Sequence, residues 1–109
     1  MAAINLEELT QGKVHNLSGR LRGLAAREKF GLDQIDAQGV SVELHVPDYV
    51  YAVTPSFVQG LLGGSLRIRH GDVESFRKAY RFVAPAVVME QLERGISAIT
   101  TSRDIADIH

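Results

Sequence analysis

The amino-acid sequence predicts an α/β fold: a small mixed β-sheet with helices mainly on one face. The first sign is a strict alternation of apolar and polar residues over 40–46, which is typical of a strand with one buried face. The second is the helical spacing of apolar residues before and after that segment. Strands and helices thus alternate along the chain, and right-handed crossovers place the helices together on one side of the sheet.

Length and composition predict a single domain. The chain has 109 residues, of which 45% are apolar, and no linker or repeat divides it. We expect one domain over residues 1–100 and a loosely held C-terminal tail over 101–109. The absence of cysteine, and Glu7 and Glu8 where a signal peptide would be apolar, favour a cytoplasmic protein. The longest apolar run, 83–89, is too short to span a membrane.

The first third of the chain predicts short extended pieces and a helix. Residues 4–6 form either an edge strand or the start of a helical turn, and residues 13–17 form a second extended piece. Ser18 then begins a helix as its N-cap, and Gly31 ends it. The apolar residues at helical spacing in this helix are Leu17, Leu21, Leu24 and Ala25.

The middle of the chain contains the strand over 40–46 and a helix. One helical turn, 33–37, precedes the strand, and residues 48–53 are either its bulged continuation or a short extension. A helical segment follows Pro55 and ends at Gly63-Gly64. Its apolar residues are Phe57, Val58, Leu61 and Leu62. Residues 65–69 then alternate again, which predicts a second strand with a polar face.

The last third predicts two helices and a strand. His70-Gly71 forms a turn, and Asp72 caps a helix. The buried stripe of this helix is predicted to be Val73, Phe76, Tyr80 and Val83. Pro85 breaks that helix or opens the next one, which ends at Gly95. Residues 96–100 are a candidate for a final short strand.

Catalytic and metal-binding patterns are scarce. The four histidines lack the spacing of metal ligands, and no cysteine assists them. No nucleophile, base and oxyanion donor can be assembled, so we expect no catalytic residues, no metal, no cofactor and no enzyme activity. A net charge of −1 argues against nucleic acid as a partner. A nucleic-acid contact is nevertheless a third interpretation, through Arg67, Arg69, Arg77, Lys78 and Arg81.

Two helix starts could bind an anion. At Ser18-Gly19-Arg20 the simpler interpretation is a cap, and the alternative is an anion site that uses Ser18, Arg20 and free amides. That alternative extends to a small ligand-binding domain or enzyme. It would act on a phosphorylated or anionic small molecule in a polar cleft near Ser18, Arg20 and His45.

The segment Thr54-Pro55-Ser56 also allows two caps. With Thr54 as N-cap, Pro55 takes the first helical position. With Ser56 as N-cap, Gln59 completes a capping box. A hydroxyl here is also a favourable place for a phosphate, because the helix dipole and free amides stabilise the added charge.

Three stretches carry a family resemblance: SGRLRGLAAR (18–27), VSVELHV (40–46) and VTPSFVQGLLGGSLR (53–67). Together they resemble the STAS-like domains of unknown function, small bacterial relatives of the sulfate-transporter and anti-sigma-factor-antagonist fold. The family pattern is an early Ser-Arg or Ser-Gly-Arg helix start. A hydrophobic strand follows, which ends in a small or polar residue and Ser-Phe at the next helix start. Gln59-Gly60 stands where an acidic pair often follows in that group.

The resemblance implies a regulatory function. In the antagonist branch a partner kinase phosphorylates a serine at this strand-to-helix junction, and the matching position is Ser56, with Thr54 beside it. We therefore expect a non-enzymatic binding module with a protein partner, such as a histidine-kinase-like ATPase. The expected contact surface is the helix start with Ser56 and Gln59, flanked by Arg20 and Arg67. Unpaired edges of the small sheet favour a homodimer.

Overall fold

Strands and helices alternate along the chain, which confirms the predicted α/β class. A computed structural model describes residues 1–101, so the tail predicted over 101–109 lies outside the described residues beyond Thr101. The strands are β1 (Ala2–Asn5), β2 (Asn16–Leu17), β3 (Val42–His45), β4 (Ala52–Val53) and β5 (Tyr80–Val83). The helices are α1 (Glu7–Thr10), α2 (Arg20–Lys29), α3 (Leu32–Ala37), α4 (Pro55–Ile68), α5 (Val73–Ala79) and α6 (Ala86–Thr100).

The main sheet has three strands in the order β1-β3-β5, and the second pairs β2 with β4. A mixed sheet is predicted, whereas all of the strand pairs within residues 1–101 are parallel. Leu44 lies opposite Ile4 and Phe82, on the face that belongs to the core. Glu43 lies opposite Arg81 on the other face, which is at least partly exposed. The open polar face predicted for the strand over 40–46 is therefore present.

Helix α4 is the centre of the fold, since it packs against both α2 and α6. The predicted end at Gly63-Gly64 and the predicted strand over 65–69 are wrong, because α4 continues to Ile68. Leu66 lies one turn after Leu62, and both are fully buried, so packing continues the helix past the glycines. The left-handed residues that end it come later, at His70 and Gly71, as the predicted turn requires.

Two further boundaries differ from the prediction. Asp72 caps α5 as predicted, its carboxylate accepting the Ser75 amide at 3.2 Å, but the helix ends at Ala79. Tyr80 and Val83, which are predicted to belong to the buried stripe of this helix, lie in β5 instead. Residues 80–83 form this strand because they pair with β3 at the edge of the sheet. Pro85 does open α6, which runs through Gly95. The predicted strand over 96–100 is the end of that helix, whose buried residues are Val88, Leu92, Gly95, Ile96 and Ile99.

The predicted start and buried face of α2 are also wrong. Its N-cap is Gly19, with a φ of 93°, and no side chain caps it, so Ser18 is not the cap. Leu21 and Leu24 are 81% and 43% exposed. The buried face instead consists of Gly23, Ala26 and Arg27.

The reason is a close crossing of α2 and α4. A Cβ on Gly60 would lie 2.2 Å from the Arg20 carbonyl oxygen, and one on Gly23 would lie 2.3 Å from that of Phe57. These distances leave no space for any side chain, so the two backbones touch at this point. Contact between two glycines therefore determines which face of α2 is buried, and the leucines are left outside.

We expect Gly60→Ala to lower the free energy of unfolding by at least about 2 kcal/mol, because the added methyl group forces two packed backbones apart. This loss is larger than the stabilisation from the higher helix propensity of alanine. Gly63→Ala in the same helix is the matched control. Its Cβ would meet only Gln59 Cγ, at 3.9 Å. This substitution should raise the free energy of unfolding by about 0.5–1 kcal/mol. Urea denaturation followed by circular dichroism measures both, and equal stabilities would contradict the backbone contact.

Candidate functional site

The α4 cleft, as we name it, is a depression of about 240 Å³ between α2 and α4. It is lined by Arg20, Leu24, Arg27, Asp33, Gln59, Gly60, Gly63, Gly64, Arg67 and Ile99. Gly60, Gly63 and Gly64 have the spacing of one helical face, so α4 presents backbone instead of side chains. Arg20 and Arg27 share the facing side of α2. The cleft therefore has a glycine floor, in which Gly63 is open, while Gly60 lies against the α2 backbone and Gly64 lies against the Arg27 guanidinium.

The charge of the α4 cleft is mainly positive. Arg20 and Arg67 are exposed, and neither forms an ion pair with any residue in the described part of the chain. The third guanidinium, that of Arg27, is buried and paired with Asp33 and Asp36. Two arginines at the mouth of the cleft are thus available to bind a carboxylate or a phosphate.

A second depression adjoins the cleft and contains Ser56. It is lined by Pro55, Ser56, Gln59, Ala98 and Ile99. Gln59 and Ile99 also line the α4 cleft. Of the six residues that the sequence nominates, the structure thus brings four into one continuous surface: Ser56, Gln59, Arg20 and Arg67.

Thr54 is the helix cap, which decides between the two caps that the sequence allows. Its Oγ1 accepts the Phe57 amide at 3.3 Å, and Pro55 takes the first helical position. The same oxygen accepts the Gly19 amide at 3.3 Å, so it also ties the start of α4 to the turn before α2. Because both acceptor positions are used, the Thr54 proton is left for Ser56 Oγ, 3.1 Å away. Ser56 itself is exposed, and its own proton remains free to react or to bind.

Of the two remaining candidate residues, Thr54 caps α4 and Ser18 does not join this surface. Ser18 is exposed and lines neither depression. The alternative cleft near Ser18, Arg20 and His45 does not form, because His45 lies at the carboxyl end of β3 in a separate depression with Asn5 and Asp48. There its Nε2 contacts Glu43 Oε1 at 2.7 Å.

Beneath the cleft lies a buried polar network that the sequence analysis missed. The Asp36 carboxylate accepts hydrogen bonds from Arg27 Nη2 at 2.9 Å and from Ser65 Oγ at 2.6 Å. Its other oxygen accepts from the Tyr80 hydroxyl at 2.9 Å and from Arg69 Nη1 at 3.2 Å. The network joins α2, α3, α4 and β5. One signal was available in the sequence: Ser65 is a polar residue among the apolar residues of α4.

Burial and hydrogen bonds oppose each other at the two acidic groups of this network. Burial alone would raise the pKa of Asp36, but the bonds from Ser65, Tyr80, Arg27 and Arg69 outweigh it and lower the pKa below its ordinary value. Burial, aided by the adjacent Asp36 charge, raises the pKa of Tyr80 to about 12. Every buried side-chain polar atom in residues 1–101 has a hydrogen-bond partner. The network is thus fully satisfied.

Arg27 connects the network to the cleft. Its Nη1 donates to the Leu61 carbonyl at 3.0 Å and to Ser65 Oγ at 2.8 Å. A Cβ on Gly64 would lie 2.9 Å from the guanidinium carbon, so only glycine leaves room for it. The floor of the α4 cleft is therefore fixed by hydrogen bonds on its inner side.

Two of the basic residues over 66–82 have acidic partners within the chain. Arg69 is held in the Asp36 network, and Arg77 pairs with Glu93. Residues 1–101 contain no group of three metal-binding side chains and no helix long and apolar enough to cross a membrane. No protein family, curated protein or solved structure matches this chain.

The raised pKa of Tyr80 predicts a loss of stability at alkaline pH. The pKa of a tyrosine in the unfolded chain is about 10, whereas the pKa of Tyr80 in the folded protein is about 12. Its contribution to the free energy of unfolding is therefore complete below pH ~10 and is lost as the pH rises toward 12. Urea denaturation between about pH 9 and 12 should show this slope in the wild type and less of it in Tyr80→Phe. Tyr51→Phe, which removes an exposed hydroxyl, should keep the wild-type slope.

Proposed function

We propose that the protein is a non-enzymatic, STAS-like regulatory module that binds an acidic segment of a protein partner in the α4 cleft. One observation carries this proposal. Arg20 and Arg67 stand exposed and without ion-pair partners within residues 1–101, beside a floor of glycine backbone. Guanidinium groups bind carboxylates through paired hydrogen bonds, and Gly63, where an added Cβ would meet only Gln59 Cγ at 3.9 Å, leaves space beside them.

The shape of the surface favours a chain segment over a compact molecule. The α4 cleft continues through Gln59 and Ile99 into the Ser56 depression, so the whole surface follows α4 toward its first turn. Leu24, 43% exposed, adds an apolar contact at the rim. Aromatic or aliphatic anchors beside arginines are typical of protein interfaces.

Ser56 can act as a switch on this surface. A phosphate on Ser56 would carry a charge of about −2 and would be stabilised by the first turn of α4. It would also compete with an acidic partner for Arg20, because the Arg20 backbone meets α4 at Gly60, one turn after Ser56. Phosphorylation would therefore release the partner. The STAS-like resemblance suggests a histidine-kinase-like ATPase as the partner that carries out the modification, in the cytoplasm.

We expect Arg20→Gln and Arg67→Gln each to raise the dissociation constant of the partner about tenfold, because each substitution removes a charge-assisted hydrogen bond. Ser56→Asp should raise it similarly, and Ser56→Ala should bind as the wild type does. Tagged variants would be used to isolate partners from the native cell, and the dissociation constant would then be measured with the purified partner.

Two control variants separate the site from net charge. Arg94→Gln removes an exposed cation, and Gln38→Glu adds an anion at an exposed position; neither residue lines either depression. Both should bind as the wild type does. The proposal is wrong if no recovered protein distinguishes the Arg20 and Ser56 variants from these controls.

A small phosphorylated or anionic molecule is the second candidate, because the cleft of about 240 Å³ is concave. A ligand held there would raise the melting temperature of the wild type by several degrees and that of Arg20→Gln by much less. A thermal-shift screen with nucleotides and phosphorylated metabolites tests this. A shift that persists in Arg20→Gln would place the ligand elsewhere.

A further inference from the structure

A second surface of α2 forms a groove that the proposed function does not use. This α2 groove encloses about 420 Å³. Its apolar lining consists of Leu9, Val14, Leu17, Ala25, Ala26 and Phe57, and its charged lining of Arg22 and Lys29. The groove shares no residue with the α4 cleft. A volume of this size falls within the ~300–1,000 Å³ typical of ligand pockets.

The groove is preformed on both sides. Its floor is part of the core, because Leu17, Ala26 and Phe57 are at most 3% exposed. Its outer wall, with Leu9 and Val14, belongs to α1 and the turn that follows. The Tyr49 hydroxyl holds that wall in place, since it bonds to Thr10 Oγ1 and accepts the Gly12 amide at 2.8 Å.

The cations stand at the two ends of the groove for a geometric reason. Arg22, Ala25, Ala26 and Lys29 have the spacing of one helical face. The two small alanines leave space between Arg22 and Lys29. These two residues are about 10 Å apart along the helix axis, so one lies at each end of the groove. Neither cation forms an ion pair with another residue of the described range 1–101.

These features define the chemistry of a ligand. An apolar body fits the lining, and one anionic group can pair with the cation at either end. We propose that the α2 groove binds a small amphipathic organic anion, of which a medium-chain carboxylate is the simplest example. The floor of the groove is apolar, so a polar sugar phosphate would leave its hydroxyl groups unpaired there. A purely apolar molecule would make no use of Arg22 and Lys29.

The test is a titration of the full chain with sodium octanoate, below its micelle concentration, followed by amide NMR shifts. Saturable shifts should centre on Leu9, Val14, Ala25 and Ala26. The double variant Arg22→Gln/Lys29→Gln should raise the dissociation constant at least about tenfold, and 1-octanol should bind with a similarly raised constant. Ala25→Phe, at an exposed helical position, fills the groove and should abolish binding.

The matched control is Arg81→Gln/Arg94→Gln, which removes two exposed cations outside the groove. It should bind octanoate as the wild type does. Shifts centred on Gln59 and Gly63, equal affinity for octanol, or binding that survives Ala25→Phe would each overturn the proposal. So would groove shifts that depend on protein concentration without octanoate, because a second copy of the chain would then cover the groove.

Discussion

The contact between Gly23 and Gly60 sets the distance between α2 and α4, and much of the molecule depends on that distance. With the backbones touching, Arg27 is near enough to reach the Leu61 carbonyl and Ser65 on the facing helix. The glycines that continue along α4 then form the floor of the cleft. A pair of larger residues at the crossing would separate the helices, and both the hydrogen bonds and the cleft would be lost.

The network around Asp36 depends on this crossing and links the helices to strand β5 of the main sheet. Desolvation offsets much of the attraction within a buried ion pair, so such a pair adds little net stability by itself. An incomplete network, however, would leave a buried charge unpaired, which is costly. Tyr80 and Ser65 complete it from β5 and α4. We infer that the network selects one arrangement of α2, α3 and β5 around α4 over other packings of the same apolar residues.

The basic residues of α2 illustrate how one stretch of sequence serves several purposes. Arg20 belongs to the α4 cleft, whereas Arg22 and Lys29 belong to the α2 groove. Arg27, in the same helix, is buried and has a structural role. As a linear pattern these four cations are one cluster, and only their angular positions around the helix separate the roles. The two proposed binding surfaces are thus built on different sides of one short helix.

The sequence by itself determined the features whose causes are local. The strand around Val42, the cap at Asp72 and the turn at His70-Gly71 depend on alternation or on hydrogen bonds within a few residues. The sequence also predicts the helix start at Thr54-Pro55-Ser56, but it allows either Thr54 or Ser56 as the cap. It also predicted one contact surface for Ser56, Gln59, Arg20 and Arg67 at this helix start.

Only the tertiary structure decided the role of each helix glycine. A glycine can end a helix, or it can leave space for a residue of another element to pack closely, and the sequence does not show whether such a residue is present. Gly95 lies against Val58 and Gly64 against Arg27, so both stay within helices that the sequence alone would end there. The exposure of Leu21 and the burial of Arg27 have the same origin, since burial requires a partner that is remote in the chain. Asp36 and Tyr80 are 44 residues apart and became one site only when the chain folded.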